Sequence, residues 1–246
     1  MGIGNDTYFV DRSDFSIDEQ PDGGFDTVLA SVDYTLPANV EAIKLVGNAT
    51  SATGNALNNY LYSNSDKNFS TLIGGDGDDT YFVSYPGARV VEQQGKAHGN
   101  DVIYSSYEFD LFNTFVETLV LTGSALSAKG NAQGNILIGN DSFNFLDGRA
   151  GADTMIGGKG DDSYRVDNVG DKIIEKQGKA EGRDFVASSV NYDLAGTFVE
   201  HLFLSTGGTH GYGNSQDNTL SSALGDNYLT GRGGNDIFSF AGDLGA

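Results

Sequence analysis

Leu137, Leu146, Met155 and Tyr164 stand nine residues apart, and two positions before each lies Asn135, Asn144, Asp153 or Asp162. The pattern returns in Leu220, Leu229 and Phe238, which follow Asn218, Asn227 and Asp236 at the same offset. A short fixed period marks a repeat architecture, in which each unit buries its apolar face against its neighbours. No stretch carries sustained helical periodicity. Segments between the nonapeptides, such as Arg89-Val90-Val91-Glu92 and Asp101-Val102-Ile103-Tyr104, are rich in β-branched and aromatic residues and bounded by Gly and Asn, which predicts short strands. The expected fold class is all-β.

A longer period encloses the shorter one. Asn5-Asp6-Thr7-Tyr8, Asp78-Asp79-Thr80-Tyr81, Asp161-Asp162-Ser163-Tyr164 and Asn235-Asp236-Ile237-Phe238 align, with their second residues 73, 83 and 74 positions apart. Between them Phe25-Asp26-Thr27-Val28 matches Asn100-Asp101-Val102-Ile103 and Arg183-Asp184-Phe185-Val186, and Val40-Glu41 matches Val116-Glu117 and Val199-Glu200. The chain reads as one continuous repeat solenoid over 1–246, with copies at about 1–73, 74–156 and 157–230 and a partial copy at 231–246. The second copy exceeds the third by nine residues, as gain or loss of one whole unit would give. In the first copy Leu61 and Leu72 are eleven apart, a two-residue insertion where the glycine pattern is damaged in Ser65-Asp66-Lys67-Asn68.

Charge narrows the function classes. Lys and Arg number 14 against 34 Asp and Glu, a formal charge of −20 that repels nucleic acid and anionic membranes and attracts multivalent cations. Glycine occurs 35 times, and each costs extra conformational entropy on folding, so ordering needs an offset. The 38% apolar content supplies a core and argues against a disordered acidic chain. No stretch approaches the roughly 18 apolar residues of a membrane span, so membrane insertion is not expected. Cysteine is absent, which removes disulfides and thiolate metal sites.

The nonapeptides fit G-G-x-G-x-D-x-U-x, where U is large and apolar. Gly74-Gly75-Asp76-Gly77-Asp78-Asp79-Thr80-Tyr81-Phe82 and Gly157-Gly158-Lys159-Gly160-Asp161-Asp162-Ser163-Tyr164-Arg165 match fully, while the turns at Gly148 to Ile156 and Gly231 to Ser239 match less well. The glycines let the backbone take positive φ and turn carbonyls inward, and the sixth-position Asp adds a carboxylate, an oxygen set suited to Ca²⁺ more than to the tighter octahedron of Mg²⁺. The pattern resembles the RTX (hemolysin-type) calcium-binding repeat. That resemblance implies a parallel β-roll in which two nonapeptides make one coil and stacked turns share an ion, so Asn135 would face Asp153, Asn144 would face Asp162 and Asn218 would face Asp236. The candidate metal ligands are then Gly4, Asp6, Gly75, Asp76, Gly77, Asp79, Asn135, Asn144, Gly151, Asp153, Gly158, Gly160, Asp162, Asn218, Asn227, Gly234 and Asp236. Asn in place of Asp keeps an oxygen but loses a charge, which implies weaker half-sites.

Other chemistry has little support. His98, His201 and His210 lack zinc-site spacing, Gly158-Lys159-Gly160 is not followed by the G-K-[ST] of a phosphate loop, and no Asp-rich loop carries the EF-hand pattern. No carboxylate pair stands out as a catalytic acid and base, so no enzyme activity is expected. Tyr8, Tyr81, Tyr164 and Phe238 share the U position and are expected in the core. Tyr60, Tyr62, Tyr107, Tyr192, Tyr212 and Tyr228 have no assignable face and leave a glycan-binding surface open. Met1 stands where a nonapeptide would carry its first Gly and Gly245-Ala246 closely follow the last turn, so the chain is expected to be part of a longer protein. The resemblance implies a secreted bacterial module that leaves through a type I channel unfolded and orders on extracellular Ca²⁺. The alternative is a calcium-ordered adhesive or polysaccharide-binding module at a cell surface.

Overall fold

The computed structural model describes residues 3–65, 69–93, 99–176 and 182–240. Asp66, Lys67 and Asn68 of the damaged turn, His98, Met1 and Gly245-Ala246 lie outside them. The chain divides into two compact units, Met1–Gly123 and Ser124–Ala246. Each is all-β, and among the described residues there is no helix.

In the first unit β1 (Thr7–Val10), β2 (Thr27–Ala30), β4 (Ala42–Leu45), β6 (Tyr60–Tyr62), β8 (Thr80–Val83), β10 (Val102–Ser105) and β12 (Thr118–Leu121) lie side by side in that order. A second sheet holds β3 (Tyr34–Thr35), β5 (Ser51–Thr53), β7 (Ser70–Ile73) and β9 (Ala88–Val91). Neighbours pair in parallel, and the chain passes repeatedly from one sheet to the other, which makes a parallel β-solenoid. Register follows from the period-2 pleat: Val28, Ile43, Leu61, Tyr81, Ile103 and Leu119 stand in one column and are fully buried. Leu61 and Leu72, eleven residues apart, are both fully buried.

The second unit repeats the scheme. β14 (Ile136–Ile138), β16 (Thr154–Ile156) and β18 (Lys172–Ile174) form one sheet. β13 (Ser127–Lys129), β15 (Phe145–Asp147), β17 (Ser163–Val166), β19 (Phe185–Ser188), β21 (His201–Leu204), β23 (Thr219–Ser222) and β25 (Ile237–Phe240) form another, and β20 (Tyr192–Asp193), β22 (His210–Tyr212) and β24 (Tyr228–Thr230) a third. Where nonapeptides follow one another, stacked residues are 18 apart, as Asn144 and Asp162 are, so two nonapeptides do make one coil. In the inserts the coil lengthens to 22 residues between Asp162 and Asp184 and shortens to 16 between Asp184 and Glu200.

Here the core column is Ala128, Leu146, Tyr164, Val186, Leu202 and Leu220, all fully buried. Tyr81 and Tyr164 therefore occupy the core, whereas Tyr8 is half-buried and Phe238 is 45% exposed. Phe238 departs from expectation because β25 is covered by β23 on one side alone among the described residues.

Candidate metal centre

The glycines set the turns one above another. Gly158 and Gly160 take φ of 105° and 107°, and a Cβ on either would run into the backbone of Asn140 or Ser142 one coil earlier. Gly75, Gly77, Gly151 and Gly234 have the same left-handed φ and approach Asn55, Leu57, Gln133 and Gln216 in the same way. Gly4 also has positive φ, and its amide donates to the Gly23 carbonyl at 2.6 Å.

Stacking produces a ladder of side-chain oxygens. The Asp162 carboxylate accepts the Asn144 amide through Oδ1 at 2.7 Å, the Asp162 amide donates to Asp184 Oδ1 at 2.9 Å, and the Asp184 amide to Glu200 Oε2 at 2.9 Å. Asn59, Asp79, Asp101 and Glu117 repeat this at 2.7, 2.8 and 2.9 Å, and Asp6, Asp26 and Glu41 at 2.8 and 2.8 Å. Asn135 donates to Asp153 at 2.7 Å and Asn218 to Asp236 at 2.9 Å, so all three pairs named from the sequence face each other.

Oδ2 of Asp26, Asp79, Asp153 and Asp162 and Oε2 of Glu175 are buried with no hydrogen-bond partner. A buried anionic oxygen without a partner is costly, so these atoms call for a cation, and an all-oxygen donor set suits Ca²⁺. The first glycine of each turn makes room for the group: a Cβ on Gly157 would overlap Asp162 Oδ2, Tyr164 Oη and Glu175 Oε1, and one on Gly74 would overlap Asp79 Oδ2, Tyr81 Oη and Glu92 Oε1. Gly148 and Gly231 stand in the same way against Oδ2 of Asp153 and Asp236. The residues present thus fit a calcium ion, which these carboxylate oxygens would hold.

Burial, joined by neighbouring carboxylates, pushes Asp79, Asp153 and Asp162 up to about 7 and Asp101 and Glu175 up to about 8, against donated amide or hydroxyl hydrogen bonds that lower them. An acid raised on folding stabilises the fold while protonated and loses that contribution as pH climbs from its unfolded value near 4 through 7 to 8. Calcium-stripped chain is therefore expected to melt at higher temperature at pH 5 than at pH 8, while calcium affinity rises over the same interval because the ligands must ionise. Melting curves of stripped protein at both pH values check this, and the reverse order would contradict it.

The sequence-derived ligands are not equivalent. Asp79, Asp153 and Asp162 are fully buried, Asp236 is half-buried, and Asp76 is exposed, outside the buried oxygen cluster. In Asn135, Asn144 and Asn218 the side-chain oxygen already accepts the amide of Asn131, Asn140 or Asn214 in its own turn. Asn227 accepts from Thr209 at 3.2 and 2.9 Å. In the two weaker nonapeptides Arg149 and Arg232 take left-handed φ at the second glycine position, and each donates from Nη1 at 2.9 Å to the first-glycine carbonyl one coil earlier, Gly130 or Gly213. Lys159, in the segment resembling a phosphate loop, pairs with Asp141 at 2.6 Å.

Sequence reasoning missed the residues that close the buried clusters. Asp6, Glu19 and Asp26 converge, as do Asp79, Glu92 and Asp101, and Asp162, Glu175 and Asp184, each group with ligand atoms within 4.8 Å of one another. The hydroxyls of Tyr8, Tyr81 and Tyr164 donate to Glu19, Glu92 and Glu175. The signal was present: in all three copies the Glu follows the turn Asp by 13 residues, and the second Asp follows it by 20 or 22.

The model of the RTX calcium-binding nonapeptide repeat matches four copies, at residues 129–164 and 212–243. The chain carries RTX calcium-binding repeats. The matched RTX stretches contain the pairs Asn135/Asp153, Asn144/Asp162 and Asn218/Asp236, while the Asp79 turn lies outside them with the geometry of the Asp162 turn. A curated relative, Endo-1,3-1,4-beta-glycanase ExsH of Rhizobium meliloti (strain 1021), is 34% identical over 104 residues, 42% of this chain and 20% of the relative. The chain thus aligns with about a fifth of that protein's length.

Proposed function

We propose that this chain is the calcium-binding β-roll module of a secreted bacterial protein, folding on extracellular Ca²⁺ and supporting export and stability. The observation that carries the reading is the set of unpartnered buried Oδ2 atoms on Asp79, Asp153 and Asp162, each in a glycine turn stacked on another. The charge of −20 keeps an ion-free chain from compacting, which suits passage through a type I channel at low cytosolic calcium. A chain that takes up no calcium at millimolar concentration would overturn it.

The relative's name favours a second reading, a calcium-ordered module that holds polysaccharide. Against it, part of the outward aromatic surface is spent on itself, since Tyr62 stacks on Phe82 at 4.3 Å, Phe82 on Tyr104 at 5.4 Å and His210 on Tyr228 at 4.7 Å, while Phe9, Phe69 and Tyr107 are exposed outside these stacks. Sugar stacking needs a free ring face. We expect the purified chain to retain no glycan on an array with or without calcium, and to release no reducing sugar from a mixed-linkage 1,3-1,4-β-glucan. Calcium-dependent retention would establish the second reading, and turnover lost on a point substitution would make the chain an enzyme.

A further inference from the structure

The inserts between nonapeptide blocks bring carboxylates of their own to the turns. Glu92 and Asp101, and likewise Glu175 and Asp184, lie outside any nonapeptide, yet the coil closes them onto Asp79 and Asp162. All six side chains are buried, at 0 to 6% exposure. Asp79 Oδ2, Asp162 Oδ2 and Glu175 Oε2 have no hydrogen-bond partner, and in the first copy the same holds for Asp26 Oδ2. Around Gly157 two oxygens of its own turn, Asp162 Oδ2 and Tyr164 Oη, and one from the insert, Glu175 Oε1, gather at the space a Cβ would fill, and Gly74 repeats this with Asp79, Tyr81 and Glu92.

We propose that the three triads Asp6/Glu19/Asp26, Asp79/Glu92/Asp101 and Asp162/Glu175/Asp184 each hold one calcium ion, making the inserts part of the metal-binding structure. The proposal rests on the RTX reading in that Asp79 and Asp162 are shared with the turns; the added claim is that the Glu and the second Asp are ligands. Ligand atoms within 4.8 Å of one another match the span of oxygens around Ca²⁺ at about 2.3–2.6 Å. Three carboxylates leave a net charge of −1 around the ion, and the tyrosine hydroxyl holds one Glu oxygen in place. A phenylalanine at the U position would fill the same core space and leave that oxygen unsupported, which explains tyrosine at 8, 81 and 164. Because Asp79/Glu92/Asp101 and Asp162/Glu175/Asp184 are fully closed, their ions enter as the coil folds rather than afterwards.

Calorimetric titration of the full chain with calcium, for wild type, Glu175→Gln, Glu92→Gln and Asp153→Asn, is the test. Each Glu variant should bind one ion fewer than wild type. An unchanged count and affinity in both Glu variants, with uptake altered by Asp153→Asn, would overturn the triads and leave the RTX turns standing. Uptake altered by the Glu variants and untouched by Asp153→Asn would do the opposite. A Glu variant that stays unfolded at saturating calcium is covered by Eu³⁺ excitation spectra of the wild-type chain, whose band position reports ligand charge. Two classes are expected, the more charged with few bound waters by lifetimes in H₂O and D₂O. A single class would overturn the proposal.

Discussion

Stripped of calcium at neutral pH, the chain should lose most of its β-sheet circular dichroism and amide protection, and regain both together as calcium rises through about 10⁻⁴ to 10⁻³ M. Without ions the fold must bury Asp79, Asp101, Asp153, Asp162 and Glu175 near one another, with burial raising all five toward or above neutrality. It must also order the glycines of the stacked turns. A ligand that binds the folded state alone adds about 2.7 kcal/mol per site at a hundredfold excess over Kd, so a few sites equal the 5–15 kcal/mol stability of an ordinary domain. Filling should be cooperative, since each ordered coil templates the next. Residual order is expected around Val116, Leu119, Val199 and Leu202, fully buried apolar residues outside the glycine turns. Magnesium at equal concentration should restore little, because it holds its waters and demands a tight octahedron. Identical spectra and protection in chelator and in calcium would reduce the turns to passive loops.

The nine-residue spacing marked the repeat, and the resemblance to the RTX β-roll, in which two nonapeptides make one coil, supplied the pairs Asn135/Asp153 and Asn144/Asp162 that the structure stacks. The clusters were harder to read. Glu175 and Asp184 sit in a stretch without the nonapeptide period, 13 and 22 residues beyond Asp162, and only a coil of irregular length returns them to it. Their recurrence in three copies at nearly constant distance was visible, but a motif search keyed to glycine passes over it. Phe238 and Asp236 look like their counterparts in sequence and differ in burial, since burial depends on what covers the coil. The arginines at 149 and 232 read as degenerate glycines, whereas their guanidinium groups bond the carbonyl one coil earlier.

Asp162→Ala is expected to raise the calcium midpoint tenfold or more, about 1.4 kcal/mol, and Asp193→Ala less than twofold. Asp162 supplies an unpartnered buried oxygen and also accepts the buried Asn144 amide, so its loss removes a ligand and strands a donor, a cost of about 1–3 kcal/mol. Asp193 bonds Arg232 at 2.5 and 2.7 Å at the surface, a pairing of the kind worth about 0–1 kcal/mol. Asp153→Ala should fall between, because Asp153 serves a turn whose Arg149 already donates to one carbonyl, and it belongs to none of the three triads. The isosteric Asp162→Asn separates charge from hydrogen bonding. It keeps an oxygen for the Asn144 amide and removes an anion that burial disfavours, so stripped Asp162→Asn should melt above stripped wild type. In saturating calcium the order should invert, because wild type alone presents the anionic ligand. Melting curves of both proteins, stripped at pH 5 and loaded at pH 7, should therefore rank them in opposite order. Equal calcium midpoints for Asp162→Ala and Asp193→Ala, or an Asp162→Asn variant that ranks the same way in both conditions, would mean that Asp162 braces the turn and holds no ion.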